Sequence, residues 1–218
     1  MSRLPSRFSC LSLLRCCVLA AFGVAAGGAH ASGLIVQAID ATGAALADVV
    51  IYAEPEAGQK APMPQRSAEI EQRGLKFMPM VTVIQTGSKI SFPNNDKVRH
   101  HIYSFSPAHK FDQKLYSGTT ATPQVFDKAG LVVLGCNIHD KMVAYVRIVD
   151  TPYFSKTDAS GATRLDLPAG KYTVKAWHYH GVGGQPSEQA IVVKAGDTLG
   201  ATTFKISMKP PGSDADAN

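Results

Sequence analysis

Short runs rich in Val, Ile, Tyr, Thr and Phe recur from residue 34 to residue 207, each closed by Gly, Pro, Asn or Asp. This punctuation constrains the fold most, because it is the pattern of β-sandwiches and barrels and leaves little of the chain for helix. Segments 34–39, 49–52, 81–85, 89–92, 101–105, 131–134, 143–149, 172–177, 190–193 and 202–207 are the expected strands. Asp40-Ala41-Thr42-Gly43, Pro93-Asn94-Asn95-Asp96 and Asp158-Ala159-Ser160-Gly161 are turn signals, with Gly or Asn available for left-handed positions. Stretch 53–67 is rich in Pro, Gly and Ala and reads as a linker, while 209–218 has almost no apolar side chain and reads as a disordered tail.

The N-terminal segment is of a different kind. Arg3, Arg7 and Arg15 make a basic start, an apolar run follows from Cys16 to Ala26, and Ala29-His30-Ala31 closes it with small residues. That is the layout of a secretory signal peptide over 1–31, with an apolar run too short to span a bilayer. Removal of 1–31 leaves 19 of the 22 basic residues against 17 acidic ones, a charge of +2. The pI near 9.0 therefore says little about nucleic acid, and neither a nucleic-acid partner nor a membrane span after cleavage is expected. Cys10, Cys16 and Cys17 would leave too, so Cys136 is the one cysteine of the mature chain. In an exporting compartment cysteines usually pair. A lone one is buried, reactive or bound to metal, and its neighbours decide which.

Those neighbours are Gly135-Cys136-Asn137-Ile138-His139-Asp140-Lys141-Met142, set between the apolar runs 131–134 and 143–146. Cys, His and Met sit on a tight loop between two strands with the spacing C-x2-H-x2-M. Thiolate, imidazole and a weak thioether are the ligand types of a blue-copper site, which also needs a second imidazole. Segment 94–101, Asn94-Asn95-Asp96-Lys97-Val98-Arg99-His100-His101, offers one just after the strand ending at Phe92. Zinc also takes Cys and His, but methionine is a poor zinc ligand.

Residues 69–150 resemble a plastocyanin- or amicyanin-type cupredoxin. Phe77-Met78-Pro79, Val81-Thr82-Val83 and Gly87-Ser88-Lys89-Ile90-Ser91-Phe92 resemble its opening strands. Asn94-Asn95 resembles its first-ligand loop, and Phe126-Asp127-Lys128-Ala129-Gly130 its closing hairpin. The whole chain resembles the exported cupredoxin-like group labelled methylamine utilization proteins, a label that implies no methylamine pathway. The resemblance implies an all-β Greek-key sandwich with one copper ion on His100, Cys136, His139 and Met142. His139 is then the electron port. Aligning the paired asparagines selects His100 over His101, and His101 falls where the family usually has Asn, as a hydrogen-bonding substitute or a competing ligand. Asn95, Asn137 and Ile138 complete the expected surroundings. The family loop often has Pro two residues after Cys, so Ile138 is expected to add an N–H donated to the sulfur.

The remaining segments resemble a second sandwich of the transthyretin or carboxypeptidase-regulatory type. Its first half is the Leu34-Ile35-Val36 segment with Val49-Val50-Ile51, and its second is Thr157-Asp158-Ala159-Ser160-Gly161 with Leu167-Pro168-Ala169-Gly170-Lys171-Tyr172. The expected organisation is signal peptide 1–31, N-terminal strands and linker 32–64, cupredoxin domain 65–150, the rest of the second sandwich 151–208 and the tail 209–218. The copper domain is then inserted in a surface loop of the second sandwich; otherwise 34–52 extends the copper domain's sheet. His178 and His180 are expected to alternate on a surface strand, Met78 and Met80 to pack in the core, and His109 to be solvated. The resemblance implies a periplasmic, non-enzymatic carrier of single electrons, exchanging them with a c-type cytochrome or a dehydrogenase. Copper delivery or buffering is the alternative.

Overall fold

The computed structural model describes residues 32–56, 67–117, 122–139, 141–196 and 199–210. The expected signal peptide, residues 57–66 of the expected linker and most of the expected tail lie outside the described residues. Among the described residues the regular structure is all strand, and no helix is long and apolar enough to cross a membrane.

The chain begins with β1 (Gly33–Ile39), β2 (Val50–Pro55), β3 (Ser67–Glu69), β4 (Glu71–Gln72), β5 (Phe77–Met78) and β6 (Val81–Gln85). It continues through β7 (Ser88–Ser91), β8 (His100–Ser104), β9 (Phe111–Tyr116), β10 (Gln124–Phe126), β11 (Gly130–Cys136) and β12 (Val143–Val149). The last strands are β13 (Phe154–Lys156), β14 (Ala162–Asp166), β15 (Gly170–Trp177), β16 (Ser187–Val193) and β17 (Leu199–Lys205). Residues 67–149 build the sheets β10-β7-β3 and β6-β12-β11-β8-β9, with β4 and β5 as a small pair at one end. The flanking segments build β14-β1-β17 and β13-β2-β15-β16, so among the described residues the strands that pair with β1 and β2 all follow residue 150.

Alternation decides what each sheet buries. Along β1, Leu34, Val36 and Ala38 point inward and meet Tyr172, Val174 and Ala176 of β15, with Phe204 and Ile206 beyond them. A second core lies between the sheets of 67–149. Ile90 and Phe92 face Ile102, Val132, Leu134, Ala144, Val146 and Ile148 across it, and Cys136 and Met142 close one end. The run Val49-Val50-Ile51-Tyr52-Ala53 shows little alternation because β2 is covered on both faces. Ile51 and Ala53 join the first core, and Val50 and Tyr52 join a junction core with Val81, Val149 and Trp177.

β12 joins the two units in the same way. Ala144, Val146 and Ile148 face the second core, and the alternate positions Tyr145, Arg147 and Val149 face the junction. The Arg147 guanidinium donates to Tyr52 Oη at 2.9 Å and lies 5.6 and 5.7 Å from the ring centres of Tyr52 and Trp177. Lys156 Nζ donates to Val81 O at 2.7 Å and pairs with Asp48 at 2.6 Å.

Four local expectations are corrected. β2 runs on to Pro55 and β3 starts at Ser67, so the linker's ends are strand; Pro55 sits at the strand terminus opposite Tyr172. β15 stops at Trp177, leaving His178 buried rather than on a surface strand and Tyr179 and His180 in a turn. His178 Nδ1 accepts the His180 N–H at 3.1 Å, and burial, helped by His180, holds its pKa below the ordinary 6.5. Met78 and Met80 are exposed, not core. His109 is half-buried, its ring centre 4.4 Å from that of Phe126.

Candidate metal centre

The strand register carries two candidate ligands to one place. Cys136, the last residue of β11, pairs with Ile102 of β8. Directly opposed residues share a face, and so do residues two apart on a strand, which puts His100 on the face of Cys136 and His101 on the other. Burial along β8 agrees: His100, Ile102 and Ser104 are buried, while His101 and Tyr103 are partly exposed. On that other face Tyr103 lies over Gly135, where a Cβ would come within 2.7 Å of its ring. The glycine beside Cys136 thus lets the aromatic ring pack on the backbone.

The third candidate ligand comes from the loop. A tight turn follows Cys136, its Asn137 N–H donating to His101 O at 3.2 Å, and the Met142 N–H closes back on His139 O at 2.9 Å. His139 Nδ1 then lies 3.8 Å from Cys136 Sγ, and His100 Nδ1 lies 3.7 Å from it. The ring centres of the two histidines are 5.0 Å apart at 58°. One donor atom from each of the three residues falls within 4.8 Å of the others. A metal bound at roughly 2.0–2.1 Å to nitrogen and 2.3 Å to sulfur, with a bond angle near 115°, separates these atoms by about 3.7 Å. The donor set fits a metal ion.

Burial orders the site from inside to outside. His100 and Met142 are buried, Cys136 is 5% exposed, and His139 is half-buried with the exposed Ile138 beside it in the loop. Met142 belongs to the same core as Cys136, Phe92 and Ile102. The sulfur's hydrogen-bonding neighbours among the described residues are the two imidazoles, and the Ile138 N–H is not one of them.

The surroundings differ from the expected set. Asn95 turns away from the ligands, its Nδ2 donating to Glu71 at 2.7 Å. The organising residue of the first-ligand loop is Asn94, which is buried. It donates to Val98 O at 2.9 Å and Tyr116 O at 3.0 Å, and accepts the Asp96 N–H at 2.9 Å. Asp96 was legible only as a turn residue, yet its Oδ2 lies 2.8 Å from His100 Nε2. Burial pushes the Asp96 carboxyl up, but hydrogen bonds from His100, Leu75 and Gly74 outweigh it and hold it below 3.8. Tyr116, opposite His100 on β9, has its hydroxyl pushed up to about 12 by burial, with Cys136 adding to the effect against the opposing hydrogen bond of Gln72. His101 pairs with Asp112 on the outer face. A His101→Asn variant is therefore expected to keep its metal affinity in titration and to lose no more than about 1 kcal/mol of stability, the ceiling for such an exposed pair.

Two facing sheets with one histidine at the start of β8, a cysteine at the end of β11 and a second histidine in the loop after it decide the fold. Residues 67–149 form a cupredoxin-like sandwich. No family model and no curated protein matches the chain. Among solved structures, the copper-containing nitrite reductase of Thermus scotoductus shares 25% identity over 44% of this chain and 25% of that one, with a TM-score of 0.37. A purple cupredoxin from Nitrosopumilus maritimus shares 21% over 38% of this chain and 99% of that one, TM-score 0.34. Amicyanin from Paracoccus versutus shares 17% over 45% and 97%, TM-score 0.35. The chain thus spans a quarter of the reductase's length and nearly all of the other two proteins.

Proposed function

We propose that the protein is a periplasmic type I copper protein, holding one copper ion through His100, Cys136, His139 and Met142 and carrying single electrons between redox proteins. The observation that carries this reading is the meeting of His100 Nδ1, Cys136 Sγ and His139 Nδ1 at one end of a packed sandwich. Copper supplies a one-electron couple at such a donor set. The chain's part is to keep the donors still. Cys136 ends a strand in the centre of its sheet, His100 begins the neighbouring strand, and the loop between Cys136 and Met142 is closed by its own hydrogen bond. Met142, buried in the same core, would supply the weak thioether ligand, and the core residues Phe92 and Ile102 pack around Cys136. With His100 and Cys136 buried and His139 half-exposed, the His139 imidazole is where an electron would enter or leave. A c-type cytochrome or a dehydrogenase docking over His139 and Ile138 fits that geometry. In this reading the copper-binding unit is an insertion between β2 and β13 of the flanking sheets.

Copper delivery is the second reading, favoured by the exposed thioethers of Met78 and Met80. Repeated reduction and reoxidation of the copper-loaded protein, with an excess of a Cu(I) chelator present, separates the two. A carrier is expected to keep its metal through every cycle, and stripping of the metal on first reduction would put delivery in its place.

A further inference from the structure

An imidazole has two nitrogens, and for His100 each has a different task. Nδ1 faces Cys136 Sγ at 3.7 Å, and Nε2 meets Asp96 Oδ2 at 2.8 Å. The ring is fully buried and the Asp96 side chain is 12% exposed. Asp96 is itself held from three directions. Its Oδ1 accepts the Gly74 N–H at 2.6 Å, its Oδ2 accepts the Leu75 N–H at 3.1 Å, and its own N–H donates to Asn94 Oδ1 at 2.9 Å. This carboxylate therefore sits on a frame built from two loops and points one oxygen at the far side of a metal-binding ring.

We propose that Asp96 is the positioning residue for His100, holding the proton on Nε2 so that the Nδ1 lone pair faces Cys136, and biasing the bound couple toward oxidised Cu(II), which lowers its potential. The inference rests on the copper reading for its second half only. An ionised carboxylate only accepts, so its bond to Nε2 requires the N–H there, and a neutral imidazole then has its lone pair on Nδ1. Without Asp96 the buried Nε2 loses its partner. The other tautomer, with Nδ1–H donated to the sulfur, then competes with metal binding. A fixed negative charge behind the ligand also favours Cu(II) over Cu(I), since the oxidised ion carries one more positive charge. Carboxylates placed behind ligand histidines commonly raise their basicity and fix the ring.

Two measurements on the chain from residue 32 onward test this. In the metal-free protein, nitrogen NMR of the imidazoles is expected to show His100 protonated on Nε2, and Asp96→Ala to shift it to a mixture or to the Nδ1–H form. With copper, Asp96→Asn still offers an amide oxygen to Nε2–H but no charge. It is expected to keep the thiolate-to-copper absorption while the ratio of Cu(I) to Cu(II) affinity rises about tenfold, a rise of about 59 mV for a one-electron couple. Asp96→Ala is expected to bind Cu(II) about 10–100-fold more weakly. A metal-free wild type with its His100 proton on Nδ1 would overturn the proposal, as would an unchanged potential in Asp96→Asn. If Asp96→Ala fails to fold, the wild-type tautomer and the Asp96→Asn potential still decide. If the wild type gives no blue-copper spectrum, the functional reading fails, and the metal-free tautomer independently settles what Asp96 does to His100.

Discussion

A Cys136→Ser variant is expected to bind copper more than ~100-fold more weakly than the wild type, a loss larger than removal of an outer hydrogen-bonding partner causes, and to show no intense visible absorption. The sulfur is the common neighbour of both histidines, 3.7 Å from one and 3.8 Å from the other. A hydroxyl keeps the shape of the side chain but is a hard, weakly acidic donor, where copper in such a site binds a soft thiolate. The fold should survive, because Cys136 is nearly isosteric with serine and pairs with Ile102 through its backbone. Circular dichroism close to that of the wild type, together with the missing band and the lost affinity in a copper titration, is the expected pair of results. Copper bound as tightly as before would mean that His100 and His139 hold the metal without the sulfur.

Trp177→Ala is expected to be the most damaging single truncation outside the site. Trp177 is buried in the junction core against Val50, Tyr52, Val81 and Val149. Its indole N–H donates to Gly184 O at 3.2 Å, Arg147 lies over its ring, and Tyr145 meets it edge-on at 6.4 Å. Removing a buried indole costs about 3–5 kcal/mol. At about 2–4 °C per kcal/mol for a chain of this size, thermal denaturation is expected to fall by roughly 10 °C. The copper spectrum should not change, because the ligands pack in the other core, on the opposite face of β12. A melting point within a degree or two of the wild type would mean that the junction contributes little to the cooperativity of the chain.

Much of this was readable in the residues, and what was not has identifiable causes. All ten expected strands are present because each carries β-branched or aromatic residues that fill a core. The seven strands that pattern reading passed over are of two kinds. β4 and β5 are two-residue pieces. β3, β9, β10, β13 and β14 lie at sheet edges, where polar and charged residues such as Asp112, Lys114, Arg164 and Asp166 erase the alternation. The candidate donors were legible because cysteine, histidine and methionine on a short loop have few other reasons to occur together, and the structure brings Cys136 and His139 together with His100. The choice of His100 over His101 came from motif register, and the structure supplies its physical basis in the parity of β8 against Cys136. Asp96 was illegible in that sense. It lies four residues before His100 in an irregular loop, and no periodicity in the sequence says where an imidazole's second nitrogen will point. Asn94 and Asn95 were read as a pair, whereas one is buried inside its loop and the other reaches Glu71 at the surface.

The central claim is that these residues form a type I copper site, and the most direct measurement is the visible and electron paramagnetic resonance spectrum of the chain from residue 32 onward after one equivalent of Cu(II). The account predicts an intense thiolate-to-copper absorption that saturates at one copper per chain and bleaches reversibly on reduction. A pale, weakly held copper signal, or zinc bound in preference to copper, would contradict it.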